Sequence, residues 1–127
     1  LLEEERLVIR KRSPLYETEP WGVKDQPAFV NAAVEVETDR GPQELLGALK
    51  KIEEFMGRTE TRRWGPRVID LDILFYDDRV IDMPGLHIPH PHLHERVFVL
   101  KPLADIAADK IHPILKKTVR KLLAEMR

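Results

Sequence analysis

Cysteine is absent from the 127 residues. A disulfide scaffold, a cysteine nucleophile and a zinc–thiolate site are excluded together, and a reducing cytoplasm is the expected compartment. Long apolar runs are absent too. No stretch approaches the roughly 18 residues of a membrane span, no signal-peptide pattern opens the chain, and no membrane partner is expected. An excess of one charge is also lacking. The 21 basic residues face 22 acidic ones for a net charge of -1, whereas a dedicated nucleic-acid binder usually carries a basic excess. Neither GxxxxGK[ST] nor GxGxxG occurs, so a nucleotide would be held by side chains and metal rather than by a glycine-rich helix start. No serine or threonine sits in a nucleophile-elbow context, and no repeat or low-complexity stretch is visible. What remains is 43% apolar and 34% charged. That composition predicts one soluble globular domain over residues 1–127, long enough to bury a core without staples.

Patterning predicts a mixture of strands and helices. Leu7–Arg12 reads as a strand that extends after Pro14 through Leu15 and Tyr16, and Glu19–Pro27 reads as a loop. Phe29–Thr38 alternates, which predicts a strand with Val30, Ala32, Val34 and Val36 in the core and Phe29 and Asn31 on the opposite face. Gly41-Pro42-Gln43-Glu44 opens a helix, with proline at the first helical position and an acid in the first turn. Leu45, Leu49, Ile52 and Met56 form its buried stripe, Glu53 adjoins that stripe, and Gly57 is the expected stop. Arg58–Arg67 is then a polar loop and Val68–Tyr76 the strongest strand. A turn at Asp77-Asp78, a short return strand over Arg79–Asp82, an extended Leu86–Pro91, a short helix over Pro91–Leu100 and a last helix over Leu115–Met126 complete the expectation. Strands mixed unevenly with helices favour an α+β fold with a largely antiparallel sheet.

The chemistry concentrates in Arg62-Arg63-Trp64-Gly65-Pro66-Arg67-Val68-Ile69-Asp70-Leu71-Asp72-Ile73-Leu74. In extended backbone Ile69, Leu71, Ile73 and Phe75 share one face, and Asp70 and Asp72 share the other, roughly 7 Å apart. Paired carboxylates repel unless a cation lies between them. Oxygen-only ligands suit magnesium, which completes its shell with phosphates and water. Arg58, Arg62, Arg63 and Arg67 precede the acids, and a guanidinium fork matches phosphate oxygens. A diacid beside arginines meets the physical requirement of phosphoryl transfer. Trp64 and Phe29 offer flat surfaces for an aromatic ring. Taken alone, Asp-x-Asp in a strand is most often a solvated face, and Trp64, Phe29 and Asn31 are more often structural. The flanking arginines and the apolar backing weigh against that reading for the diacid; Arg62 has no second argument.

His87, His90, His92 and His94 form a rival constellation. Pro89 and Pro91 break any regular strand there, and in a helix opened by Pro91, His90, His92 and His94 do not form one face. A single histidine meeting phosphate fits better, and His90, between two prolines, is the candidate.

These residues resemble the 6-hydroxymethyl-7,8-dihydropterin pyrophosphokinase family. The run from Arg63 to Leu74 is similar to its signature. Tyr16–Gly22 with Asp25–Asn31 is similar to its pterin loop and strand, Ile52-Glu53 with Gly57-Arg58 to the end of its central helix, and Ile88–Pro91 with Arg96–Leu103 to its closing segment. The resemblance spans essentially the whole chain. It implies a ferredoxin-like α+β sandwich and transfer of pyrophosphate from ATP to the pterin's hydroxymethyl group, with release of AMP, in folate biosynthesis. It further implies that Asp70 and Asp72 hold two magnesium ions, and that Arg58 and Arg67 serve the transfer with them. Glu53, Arg63, Trp64, Arg67, Ile73, His90 and Arg96 would meet ATP. Thr18, Trp21, Phe29, Asn31, Trp64 and Phe98 would meet the pterin. A monomer or weak dimer with no nucleic-acid partner is expected. Two other readings remain: another magnesium-dependent nucleotidyl or phosphoryl transferase on the same diacid, and a nucleotide or nucleic-acid binding module built on the arginines and Trp64.

Two departures from the family pattern stand out. Glu60 occupies a position where many relatives carry arginine, and an acid there opposes a triphosphate. The family's opening strand, its glycine-asparagine turn and most of its first helix have no counterpart; Leu1-Leu2 resembles that helix's tail. Without a central first strand, backbone groups are left unpaired, and these 127 residues alone are expected to fold poorly.

Overall fold

The computed structural model describes residues 7–18, 29–64 and 70–126, the side chains of 18, 29 and 57–64 excepted. Strands β1 (Val8–Arg12), β2 (Tyr16–Thr18), β3 (Phe29–Asn31) and β4 (Val34–Glu37) precede helix α1 (Pro42–Trp64). Strands β5 (Ile81–Met83) and β6 (Leu86–Ile88) follow, then helices α2 (Val97–Ala107) and α3 (Val119–Ala124). The architecture is α+β. Among the described residues its strands form three two-stranded sheets, β1-β4, β2-β3 and β5-β6, of which the last two are antiparallel. Among these residues, no helix is long and apolar enough to cross a membrane.

Two compact units are present: Leu1–Val8 with Glu37–His90, and Ile9–Val36 with Pro91–Arg127. In the first, Gly41 caps α1. Its carbonyl accepts the Leu45 N–H at 2.8 Å, and Glu44 Oε1 reaches back to the Gly41 N–H at 3.3 Å. That satisfies donors left over at a helix start. Leu45, Ala48 and Ile52 are buried, with Leu49 and Met56 half-buried beside them, so the predicted stripe holds. The predicted stop at Gly57 does not, because α1 continues to Trp64. A helical glycine costs only about 1 kcal/mol relative to alanine, and the following arginines and glutamate are good helix formers. The expected loop over Arg58–Arg67 is therefore helical through Trp64. Strands β5 and β6 join through Pro84-Gly85, where proline suits the first turn position and Gly85 takes the second at φ 80°.

In the second unit the predicted strand over Phe29–Thr38 is broken. Ser13 donates its N–H to the Ala33 carbonyl at 2.8 Å, and its Oγ accepts the Ala33 N–H at 2.9 Å. This clamp turns Ala33 inward and separates β3 from β4. Parity no longer carries through the break. Ala32 is exposed, Val30 and Val34 are 48% and 47% exposed, and only Val36 of the predicted core set is half-buried.

The closing helices also shift. Leu93–Glu95 forms a 3-10 turn, Arg96 is extended, and α2 begins only at Val97. Helix α3 starts later than predicted because Lys116 is left-handed at φ 60° and Thr118 is extended; the Thr118 hydroxyl accepts the Lys121 N–H. Helices α2 and α3 pack through buried Leu100, Leu103, Val119 and Leu122, and α2 also packs on β2 and β3.

Candidate active site

Residues 70–73 keep the predicted alternation, but Leu74, Phe75 and Tyr76 are all half-buried and the predicted strand does not form over 70–76. Asp70 and Asp72 are exposed, and Leu71 and Ile73 between and after them are half-buried. Among the described residues, none of 70–76 pairs with another strand, and Val68 and Ile69 lie outside them. The backbone is tied instead by separate bonds. The Leu71 N–H donates to Glu53 Oε2 on α1 at 2.5 Å, and the Leu74 carbonyl accepts the His90 N–H at 3.0 Å. The Tyr76 hydroxyl donates to the Arg40 carbonyl, and the Arg79 guanidinium lies 5.8 Å from the Tyr76 ring centre. Asp77 at φ 51° makes the turn that follows, a conformation aspartate tolerates.

Glu53 is therefore joined to the backbone of the diacid. Its side chain is 18% exposed, and Lys50 Nζ approaches its other oxygen at 3.6 Å. Asp70 and Asp72 have no side-chain partner among the described residues. Their donor set, two carboxylates open to solvent, suits a hard cation that keeps water and phosphate ligands. The first unit thus brings together Glu53, Asp70, Asp72, Ile73 and His90.

The second unit holds Asn31, Arg96 and Phe98. Asn31 ends β3 opposite Tyr16, and Phe29 pairs with Thr18 in the same register. Arg96 caps α2, its carbonyl accepting the Val99 and Leu100 N–H groups at 3.0 Å. Phe98 follows in the first turn, 40% exposed. Arg58, Arg63 and Trp64 lie on α1 by their backbone; their side chains, and all of Trp21 and Arg67, fall outside the described residues.

The histidines do not converge. His87 pairs with Asp82 across the β5-β6 hairpin at 2.7 Å, and His92 with Glu95 at 3.0 Å. The latter bond, with His94 and Arg96 nearby, holds the Glu95 carboxyl below its usual range. Among the described residues no group of three or more His, Asp or Glu is assembled to hold a metal.

Two side chains escaped the sequence reading. Tyr16 donates to Asp105 on α2, 89 positions away. His112 Nδ1 accepts the N–H groups of Ile114 and Leu115 at 3.2 and 3.1 Å. A polar residue before a proline hints at such a turn, but the sequence carries no signal for the Tyr16 pairing.

Comparison with known proteins adds an independent finding. The family described as 7,8-dihydro-6-hydroxymethylpterin-pyrophosphokinase (HPPK) matches residues 1–108. A 2-amino-4-hydroxy-6-hydroxymethyldihydropteridine pyrophosphokinase of Aquifex aeolicus is 44% identical over 122 residues, 96% of this chain and 76% of that protein. One of Pseudomonas aeruginosa is 49% identical over 108 residues, 85% of this chain and 65% of that protein. A folic acid synthesis protein of Pneumocystis carinii is 50% identical over 106 residues, 84% of this chain and 14% of that protein.

Proposed function

The chain belongs to the 7,8-dihydro-6-hydroxymethylpterin-pyrophosphokinase family, and on that premise we propose that the protein transfers pyrophosphate from ATP to 6-hydroxymethyl-7,8-dihydropterin, releasing AMP, in folate biosynthesis. The observation that carries the reading is the Asp70–Asp72 pair: exposed, without partners among the described residues, and tied at Leu71 to the capped helix α1.

Asp70 and Asp72 would hold magnesium. Bound there, the ions would neutralise the triphosphate and favour attack at the β-phosphorus. The protein's own work is positioning and charge compensation. Arg63, Arg67, His90 and Arg96 would meet phosphate oxygens, with Glu53 and Ile73 beside the nucleotide and Arg58 serving the transfer. Trp64, Phe29 and Phe98 would stack on or line the pterin, and Asn31 would bond its edge together with Thr18 and Trp21. Closure of the segment carrying Arg58 and Arg63 over the substrates would keep out water, the competing acceptor. The family assignment also supports a ferredoxin-like sandwich forming one domain, a cytoplasmic enzyme, and a monomer or weak dimer.

The test supplies the intact protein with ATP, magnesium and the hydroxymethyl pterin. AMP released only when the pterin is present is the expected result. Release of ADP or of free pyrophosphate instead overturns the assignment in favour of another transferase.

A further inference from the structure

We infer that Glu53 is a positioning residue for the proposed reaction, setting the directions of Asp70 and Asp72 through the amide between them. The inference rests on the magnesium reading of that diacid.

The Leu71 N–H belongs to the peptide joining Asp70 to Leu71. Its direction is set by ψ of Asp70 and φ of Leu71, the same rotations that decide how the side chains at 70 and 72 leave the backbone. In a sheet, a neighbouring strand would fix that peptide. Among the described residues, 70–76 pair with no other strand, and the other backbone bond of this stretch, Leu74 to His90, lies three residues on. Glu53 Oε2 holds that peptide from α1, accepting the Leu71 N–H at 2.5 Å.

The clamp is built to hold. Its side chain is 18% exposed, and the charged acceptor makes the bond roughly twice as strong as a neutral one. The adjacent Ile52 is 7% exposed, so the helix beneath is anchored. Lys50, at 3.6 Å from the second oxygen, favours one rotamer of the carboxylate. A group that fixes a metal-binding pair from a rigid helix improves the site without touching the ion.

Two variants separate positioning from simple charge. Glu53→Gln keeps an acceptor of the same reach but loses the charge. Glu53→Asp keeps the charge but is one methylene too short. Leu71 amide hydrogen exchange is measured on the intact protein without ligands, and the magnesium midpoint with a non-hydrolysable ATP analogue. The expected result is slow Leu71 exchange for Glu53→Gln, against fast exchange for Glu53→Asp and a midpoint about 10- to 100-fold higher than that of Glu53→Gln. The reverse ranking means that charge alone matters, and equal midpoints for both variants and wild type mean that the clamp does nothing; either overturns the inference. Asp70→Asn is the control for the premise. If it leaves the magnesium midpoint unchanged while Leu71 exchange still responds to Glu53, the clamp exists but the diacid reading, and the role built on it, fails.

Discussion

Tyr16 donates its phenolic proton to the carboxylate of Asp105 and so ties β2 to α2. The bond and the negative charge beside it raise the tyrosine's pKa above its ordinary value of 10.0, the hydrogen bond being the larger cause. A raised acid pKa in the folded state contributes stability below the unfolded value, lost as pH climbs past it. In a Tyr76→Phe background, where Tyr16 alone titrates, ultraviolet titration should find the phenolate forming above pH 10, and Asp105→Asn should bring the midpoint back down. An unchanged midpoint in Asp105→Asn contradicts the pairing.

The diacid carries the sharpest functional prediction. Asp70→Asn and Asp72→Asn should each lower pterin-dependent AMP release by about a hundredfold or more, with pterin binding in the absence of nucleotide intact. Undiminished turnover in both variants would sink the kinase assignment. ATP binding that Asp70→Asn leaves unaltered or tightens would favour a binding module instead.

His112 should make the protein less stable in mild acid. Burial, and secondarily the charge of His94, lower its pKa below 6.5. The rings of the two histidines meet edge to face with centroids 6.3 Å apart. A depressed histidine pKa contributes stability that is fully present above the unfolded value of 6.5 and is lost as pH falls through it toward the folded value. Thermal melts should therefore show the midpoint falling between about pH 7.5 and 5.5. His112→Asn, whose Oδ1 can accept the same Ile114 and Leu115 amides, should show a shallower fall. Parallel pH profiles for the two proteins rule out His112 as the cause.

Packing predicts a contrast between two leucines. Leu100 is 0% exposed between α2 and its neighbours, and Leu15 is 76% exposed. Leu100→Ala should cost about 2–5 kcal/mol in denaturant unfolding, and Leu15→Ala within about 0.5 kcal/mol. Equal losses would mean that the α2–α3 packing does not carry the stability of that unit.

Local chemistry was readable wherever neighbours in the chain decide it. Proline and an acid in the first turn of α1, the Leu45 and Ile52 stripe and the alternation of exposed Asp70 and Asp72 with half-buried Leu71 and Ile73 all follow from rules of spacing. The valines at 30 and 34 were misplaced because Ser13, 20 positions before Ala33, interrupts the strand. Gly57 was misplaced because its weak helix penalty was outweighed by residues on both sides.

From the sequence alone come the α+β class, the family resemblance and the identity of the diacid, since each depends on residue types at fixed local spacing. Tertiary structure alone decided that Glu53 meets the Leu71 amide 18 positions away. The reason is physical: a helix side chain adjoining a buried stripe can face solvent, ligand or backbone, and only the packing of α1 against the diacid segment selects among them.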